Sequence, residues 1–169
     1  IEMMIVLVVL AITISVGTPL MQNLLHTNRL DAESSRLLGA INLARSEAVM
    51  RNMPVSLCPS AMATTGEPVC SGNYTGGWIV FTNVDKDREV DTAVDKVLQV
   101  FESLPPGYRL TNRSGTREIF ELINYLPDGS SRSNRTLMFC PPSGTLVQAR
   151  GVIINIVGRA RLAREMGIC

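Results

Sequence analysis

Histidine occurs once, as His26, and no two cysteines form a CxxC pair. A Cys/His zinc site of the usual kind is therefore excluded. The same lone histidine leaves no base for a Ser–His–Asp triad in the later chain, so Ser46-Glu47 reads as helix surface rather than a catalytic pair. Aromatic residues make up 5% of the 169. None stands near the C-terminal arginines, which argues against stacking on unpaired bases. Net charge is +1, so the whole molecule is not a polycation built to coat nucleic acid. Formal charge is missing altogether from residues 3–28.

That uncharged stretch is what the chain has in place of an ordinary globular start. Residues 3–16 are apolar apart from the hydroxyls of Thr13 and Ser15. As a helix, residues 3–28 would extend about 39 Å, enough to cross a bilayer. A cleavable signal peptide is the alternative, but it calls for a basic start and an A-x-A site, and neither is present. The helical pattern also continues: Leu30, Leu37, Ile41, Ala44 and Ala48 form one apolar stripe. Glu47 and Arg51 are an i,i+4 pair in the favoured order, and Pro54 ends the helix. The expectation is one helix of about 50 residues, roughly 75 Å long. A kink or melted turn is expected at Gly17 and Pro19. Glu2 opens this helix, where burying an unpaired carboxylate in lipid costs at least about 2.5 kcal/mol. It either meets a positive partner or sits at the interface, favoured by the helix dipole.

Beyond Pro54 the pattern shortens to β-type runs: residues 55–58, 77–82, 97–101, 119–126, 136–140, 152–157 and 159–163, separated by Gly, Pro, Asn and Asp clusters. Seven short strands suggest two small antiparallel sheets, with the second half of the helix covering one face. The expected fold is α+β: a long N-terminal helix, transmembrane in its first half, on a small antiparallel β-sheet head. The division is residues 1–25 (membrane or filament core), 26–53 (amphipathic helix) and 54–169 (head).

Cys58, Cys70, Cys140 and Cys169 are even in number. Beside a membrane anchor they suggest two disulfides formed in an oxidising compartment, with four thiols as the alternative. The expected pairs are Cys58–Cys70, closing a short loop, and Cys140–Cys169, tying down the tail. Asp85, Asp87, Glu89 and Asp91 alternate with other residues. Val90 and Lys96 occupy the places where an EF-hand-type loop needs Gly and Glu, so a solvated hairpin is expected. Trp78 reads as a core strand residue. Charge is uneven: residues 1–108 carry 7 basic and 11 acidic residues, net −4, whereas residues 109–169 carry 9 and 4, net +5. Arg159 and Arg161 would share one face of a strand, with Arg164 past a bend and Arg150 on the preceding strand. Such a ridge could contact DNA phosphates; an exposed hairpin face or a contact with another subunit is the alternative.

The opening run Ile1-Glu2-Met3-Met4-Ile5-Val6-Leu7-Val8-Val9-Leu10-Ala11-Ile12 resembles the N-methylation segment of type IV pilins and type II secretion pseudopilins. Ala44-Arg45-Ser46-Glu47-Ala48-Val49, Gly77-Trp78-Ile79-Val80-Phe81, Arg150-Gly151-Val152-Ile153-Ile154-Asn155 and Gly158-Arg159-Ala160-Arg161 narrow the resemblance to the GspH/FimT-type group of minor pilins and pseudopilins. The resemblance implies a pilus or pseudopilus subunit rather than an enzyme, with no cofactor, that primes assembly near a filament tip. It implies processing by a prepilin peptidase upstream of Ile1, an inner-membrane anchor with a periplasmic head, and an extracellular location once assembled. Its partners would be other minor and major subunits, with Glu2 neutralising a neighbour's N-terminus. Some members of the group are DNA-uptake pilins with a Gly-Arg-x-Arg motif at this point, so DNA is the alternative partner.

Overall fold

The computed structural model describes residues 2–167 and Cys169, without the side chains of residues 16–20. Helix α1 runs Glu2–Arg51. In its apolar start Thr13 Oγ1 donates to the carbonyls of Val9 and Leu10, at 3.1 and 2.8 Å, and Ser15 Oγ to that of Ile12 at 2.8 Å. Both hydroxyls are thus satisfied by the helix's own backbone. Among the described residues no helix is long and apolar enough to cross a membrane. The kink expected at Gly17 and Pro19 falls in residues 16–20, outside the described residues. At the other end Asn52 adopts φ 52°, and the Met53 N–H reaches back to the Ala48 carbonyl. This left-handed cap stops α1 two residues before Pro54.

The stripe on α1 is fully buried: Leu30, Leu37, Ala40, Ile41, Ala44 and Ala48 are all 0% exposed. Ser34 lies in the same stripe, its Oγ turned onto the Asp31 carbonyl. Two antiparallel sheets wrap this face. The first has the order β3-β2-β1-β5, from β1 (Val55–Pro59), β2 (Trp78–Thr82), β3 (Val97–Phe101) and β5 (Ile123–Tyr125). The second has the order β4-β6-β7-β8, from β4 (Arg109–Asn112), β6 (Arg135–Cys140), β7 (Arg150–Ile154) and β8 (Ala160–Ala163). Both β1 and β2 are buried at every position, which explains their unalternating apolar sequences. One face meets α1. On the other, Cys58, Ile79 and Phe81 pack under Met62, Cys70, Val90 and Leu122.

The strand expectations need three corrections. β4 was not foreseen: Arg-Leu-Thr-Asn reads as polar, and pairing with β6 rather than apolar content makes it a strand. The 119–126 run narrows to Ile123–Tyr125. The 152–157 run begins earlier and ends at Ile154, because Asn155 closes a turn with Arg159 and leaves Ile156 and Val157 exposed at its tip.

Candidate functional site

Outside the head, α1 is a bare apolar rod. Met3, Met4, Ile5, Val6, Leu7, Val8, Val9, Leu10, Ile12 and Ile14 are each more than half exposed. Glu2 stands exposed in its first turn. One helix therefore carries two surfaces of opposite fate: a stripe sealed into the head and an apolar rod whose large side chains stay exposed.

Where the rod enters the head, side chains lock it. His26 Nδ1 lies 2.6 Å from the Tyr108 hydroxyl, and Arg150 Nε donates to Asp31 Oδ1 at 2.6 Å. Further along, Arg36 lies 4.6 Å above the Trp78 ring and donates to the Glu102 carbonyl. Trp78 is 0% exposed and stacks on Phe101, so it is the core residue expected. Burial holds the Glu33 carboxyl above the usual range, and Arg36 only partly offsets this.

Near the C-terminal end of α1 the loop after β5 meets the turn between β7 and β8. Arg45 donates through Nε to the Gly129 carbonyl at 3.0 Å and through Nη2 to the Val157 carbonyl at 3.4 Å. Tyr125 donates to the Gly158 carbonyl. A Cβ on Gly158 would lie 1.9 Å from the Gly129 carbonyl oxygen, and its φ is +81°. Gly158 is glycine for both reasons. This clamp brings together Arg45, Gly129 and Gly158, which lie far apart in sequence; sequence reasoning missed it, although the runs containing Arg45 and Gly158 were both singled out.

Gly158 also sets the turn that leads into β8, the free edge of the second sheet. Arg159, Arg161 and Arg164 are exposed, and none has an ion pair among the described residues. Arg161 pairs with Ile153 in register, on the face away from α1. Arg150 does not belong with them. Its side chain is 14% exposed and bound to Asp31, so the expected ridge of four arginines is one of three.

Both expected disulfides are present, Cys58–Cys70 and Cys140–Cys169. The second pins a tail whose Met166 covers Met138, Cys140 and Ala149. The carboxylates of Asp85, Asp87 and Asp91 approach within 4.8 Å of one another, all exposed. Burial holds the neighbouring Asp95 carboxyl above its usual range.

With this geometry in hand, comparison with known proteins is decisive in one respect: the profile of the family described as type II transport protein GspH matches residues 33–158. The chain belongs to the GspH family. Its fold resembles that of the type IV minor pilin FimU of Pseudomonas aeruginosa strain PAO1, with TM-score 0.60 and 17% identity over 83% of this chain and 92% of that one. It also resembles the minor pseudopilin EpsH from the type 2 secretion system of Vibrio cholerae, with TM-score 0.54 and 14% identity over 80% of this chain and 96% of that one. No curated protein sequence matches significantly. The match agrees with the GspH/FimT-type resemblance of the sequence, and FimU and EpsH share the fold of this GspH-family chain. It includes Arg45, Trp78, Gly129 and Gly158, the residues that hold the head together. The apolar rod and the arginines from Arg159 onward lie outside it.

Proposed function

We propose that this chain is a minor subunit of a type IV pilus or type II secretion pseudopilus, non-enzymatic, that helps prime assembly near the filament tip. The division of α1 into a sealed stripe and a bare rod carries this reading. A rod exposing ten large apolar side chains is not stable in water, since each buried side chain of this type is worth about 1.5–3 kcal/mol. It requires lipid or other helices. Residues 1–25 would occupy the inner membrane before assembly, residues 26–53 would serve as the sealed stripe, and the disulfide-bonded head from residue 54 would face the periplasm. On assembly the rod would exchange lipid for the rods of other minor and major subunits, and Glu2 would meet a neighbour's N-terminal amine. A prepilin peptidase would process the chain beforehand, and the assembled pilus would carry the head outside the cell. We predict that Glu2→Ala leaves the chain membrane-inserted but lowers its incorporation into sheared filaments. Wild-type incorporation of that variant removes the assembly role of Glu2.

A second reading is supported by the exposed arginines in and beside β8, which have no ion pair among the described residues. Arg159, Arg161 and Arg164 could contact duplex phosphates without reading sequence. The detergent-solubilised chain would then retard duplex DNA, with affinity falling steeply in salt. Changing Arg159 and Arg161 to Gln would flatten the salt slope by up to about 2 units. Absence of retardation at low salt leaves the assembly role alone.

A further inference from the structure

The end of the head from which the rod emerges differs in chemistry from the opposite pole. The far pole is fixed by the passage from α1 into β1: Val55 pairs with Thr82, and the Asn83 N–H bonds the Pro54 carbonyl. The loop that follows therefore lies far from the rod; it carries Asp85, Asp87, Glu89, Asp91 and Asp95 against Lys86, Arg88 and Lys96, a small net negative charge. The near end is fixed by His26–Tyr108, by Asp31–Arg150, and by a cleft of about 320 Å³ between Asn23 and Thr27 of α1 and the loop carrying Leu146. Arg150 and Glu165 line this cleft and Arg109 the one on the other side of Leu146; Arg29 lies one turn along α1 from His26 by Tyr108, Arg164 precedes Glu165, and Asp31 holds Arg150. Asp31 and Arg150 neutralise each other, which leaves three exposed arginines against one carboxylate.

Leu146 is the second feature of this rim. It is 84% exposed on the loop between Cys140 and β7, more than any other large apolar residue among the described residues. A second cleft, of about 310 Å³, separates it from Arg109. Beside it α1 exposes Met21, Leu24 and Leu25. An apolar tip flanked by arginines and standing where an apolar rod emerges has the composition of a membrane-interface anchor. The spacing agrees. From Glu2, about 20 helical residues cross a hydrocarbon core of about 30 Å, which brings Asn23 and Thr27 to the headgroup layer on the far side.

We infer that this rim, with Leu146 at its centre and Arg29, Arg109 and Arg164 around it, seats the head on an anionic lipid surface before assembly. The occupant is the bilayer into which the rod inserts. Its phosphates complement the rim, so the head is held against the surface beside its own anchor. The inference rests on the membrane residence proposed above. It predicts that leaving the membrane requires the rim to detach as well as the rod.

The test uses the full chain in vesicles whose lipids are brominated close to the headgroup end of the acyl chains. Leu146→Trp reports the rim, and Leu10→Trp, in vesicles brominated deeper, reports the rod; buried Trp78 supplies a constant background. With anionic lipid present, both added tryptophans should be quenched. Quenching at position 146 should be lost in purely zwitterionic vesicles, in high salt, and when Arg29, Arg109 and Arg164 are changed together to Gln, because the attraction is screened over about 8 Å. The salt dependence reads the same interaction without the triple variant, should that variant fail to fold. Quenching at position 10 without quenching at 146 overturns the seating and leaves the anchor standing. Equal quenching at 146 in zwitterionic and anionic vesicles overturns the role of the arginines. No quenching at position 10 overturns the anchor and the seating together.

Discussion

At the scale of single residues, the head depends on a few side chains that bridge distant parts of the chain. Gly158 is the clearest. Alanine there meets both a positive φ and a backbone oxygen at 1.9 Å, so Gly158→Ala should cost about 3 kcal/mol or more in urea unfolding. Gly144 has a similar φ of +88° but nothing within 4 Å, so Gly144→Ala should cost only about 1–2 kcal/mol. Equal losses would show that the close approach to Gly129 is not what requires glycine. Arg45 acts at the same point. It lies in a run readable from the sequence, but its partners are two carbonyls, and a backbone carbonyl carries no sequence signature.

At the scale of elements, the tail after β8 is a strap rather than an end. The Ala149 N–H donates to the Gly167 carbonyl and the Met166 N–H to that of Ala149, so the tail lies against the start of β7. The Cys140–Cys169 bond spans 29 residues, and in the chain-entropy account a loop of that length is worth about 3–4 kcal/mol. Replacing both cysteines with alanine should lower stability by that amount. It should also speed hydrogen exchange at the Ala149 amide well before global unfolding. Unchanged protection at Ala149 would show that the strap holds without its bond. The pairing was readable because one short loop and one tail closure divide four cysteines simply. The packing of Met166 over Met138 was not, since nothing in the sequence marks which sheet face the tail crosses.

At the scale of the whole molecule, all three tyrosines of the chain are tied into the head. Tyr74, fully buried, donates to the carbonyls of Leu57 and Glu121, and Tyr125 joins the clamp. Burial is the main cause that pushes each of the three upward: Tyr125 from 10.0 to about 12, Tyr74 further, and Tyr108 in the same direction. The folded state therefore binds these protons more tightly than the unfolded state. That contribution is complete below pH about 10 and is lost as pH rises toward about 12. Alkaline titration should show no tyrosinate absorbance from Tyr74 or Tyr125 near pH 10, then a cooperative rise coincident with loss of near-ultraviolet dichroism. Early ionisation of one tyrosine in the folded state would contradict its burial.

The sequence by itself determined what depends on local order and composition. It set the length of α1 and its buried stripe, the seven β-type runs, the disulfide partners, and the resemblance to minor pilins and pseudopilins. A 3.6-residue period and short apolar runs between turn residues are properties of neighbouring positions. Tertiary structure decided what depends on pairing across distance. It made Arg-Leu-Thr-Asn into β4, because β6 was there to bond it. It took Arg150 out of the basic ridge, because Asp31 on α1 reaches it and a buried charge is retained only when paired. It also separated the acidic loop from the arginine rim. The reason is that strand pairing puts the loop after β2 beside the start of β1, at the end of α1 opposite the rod.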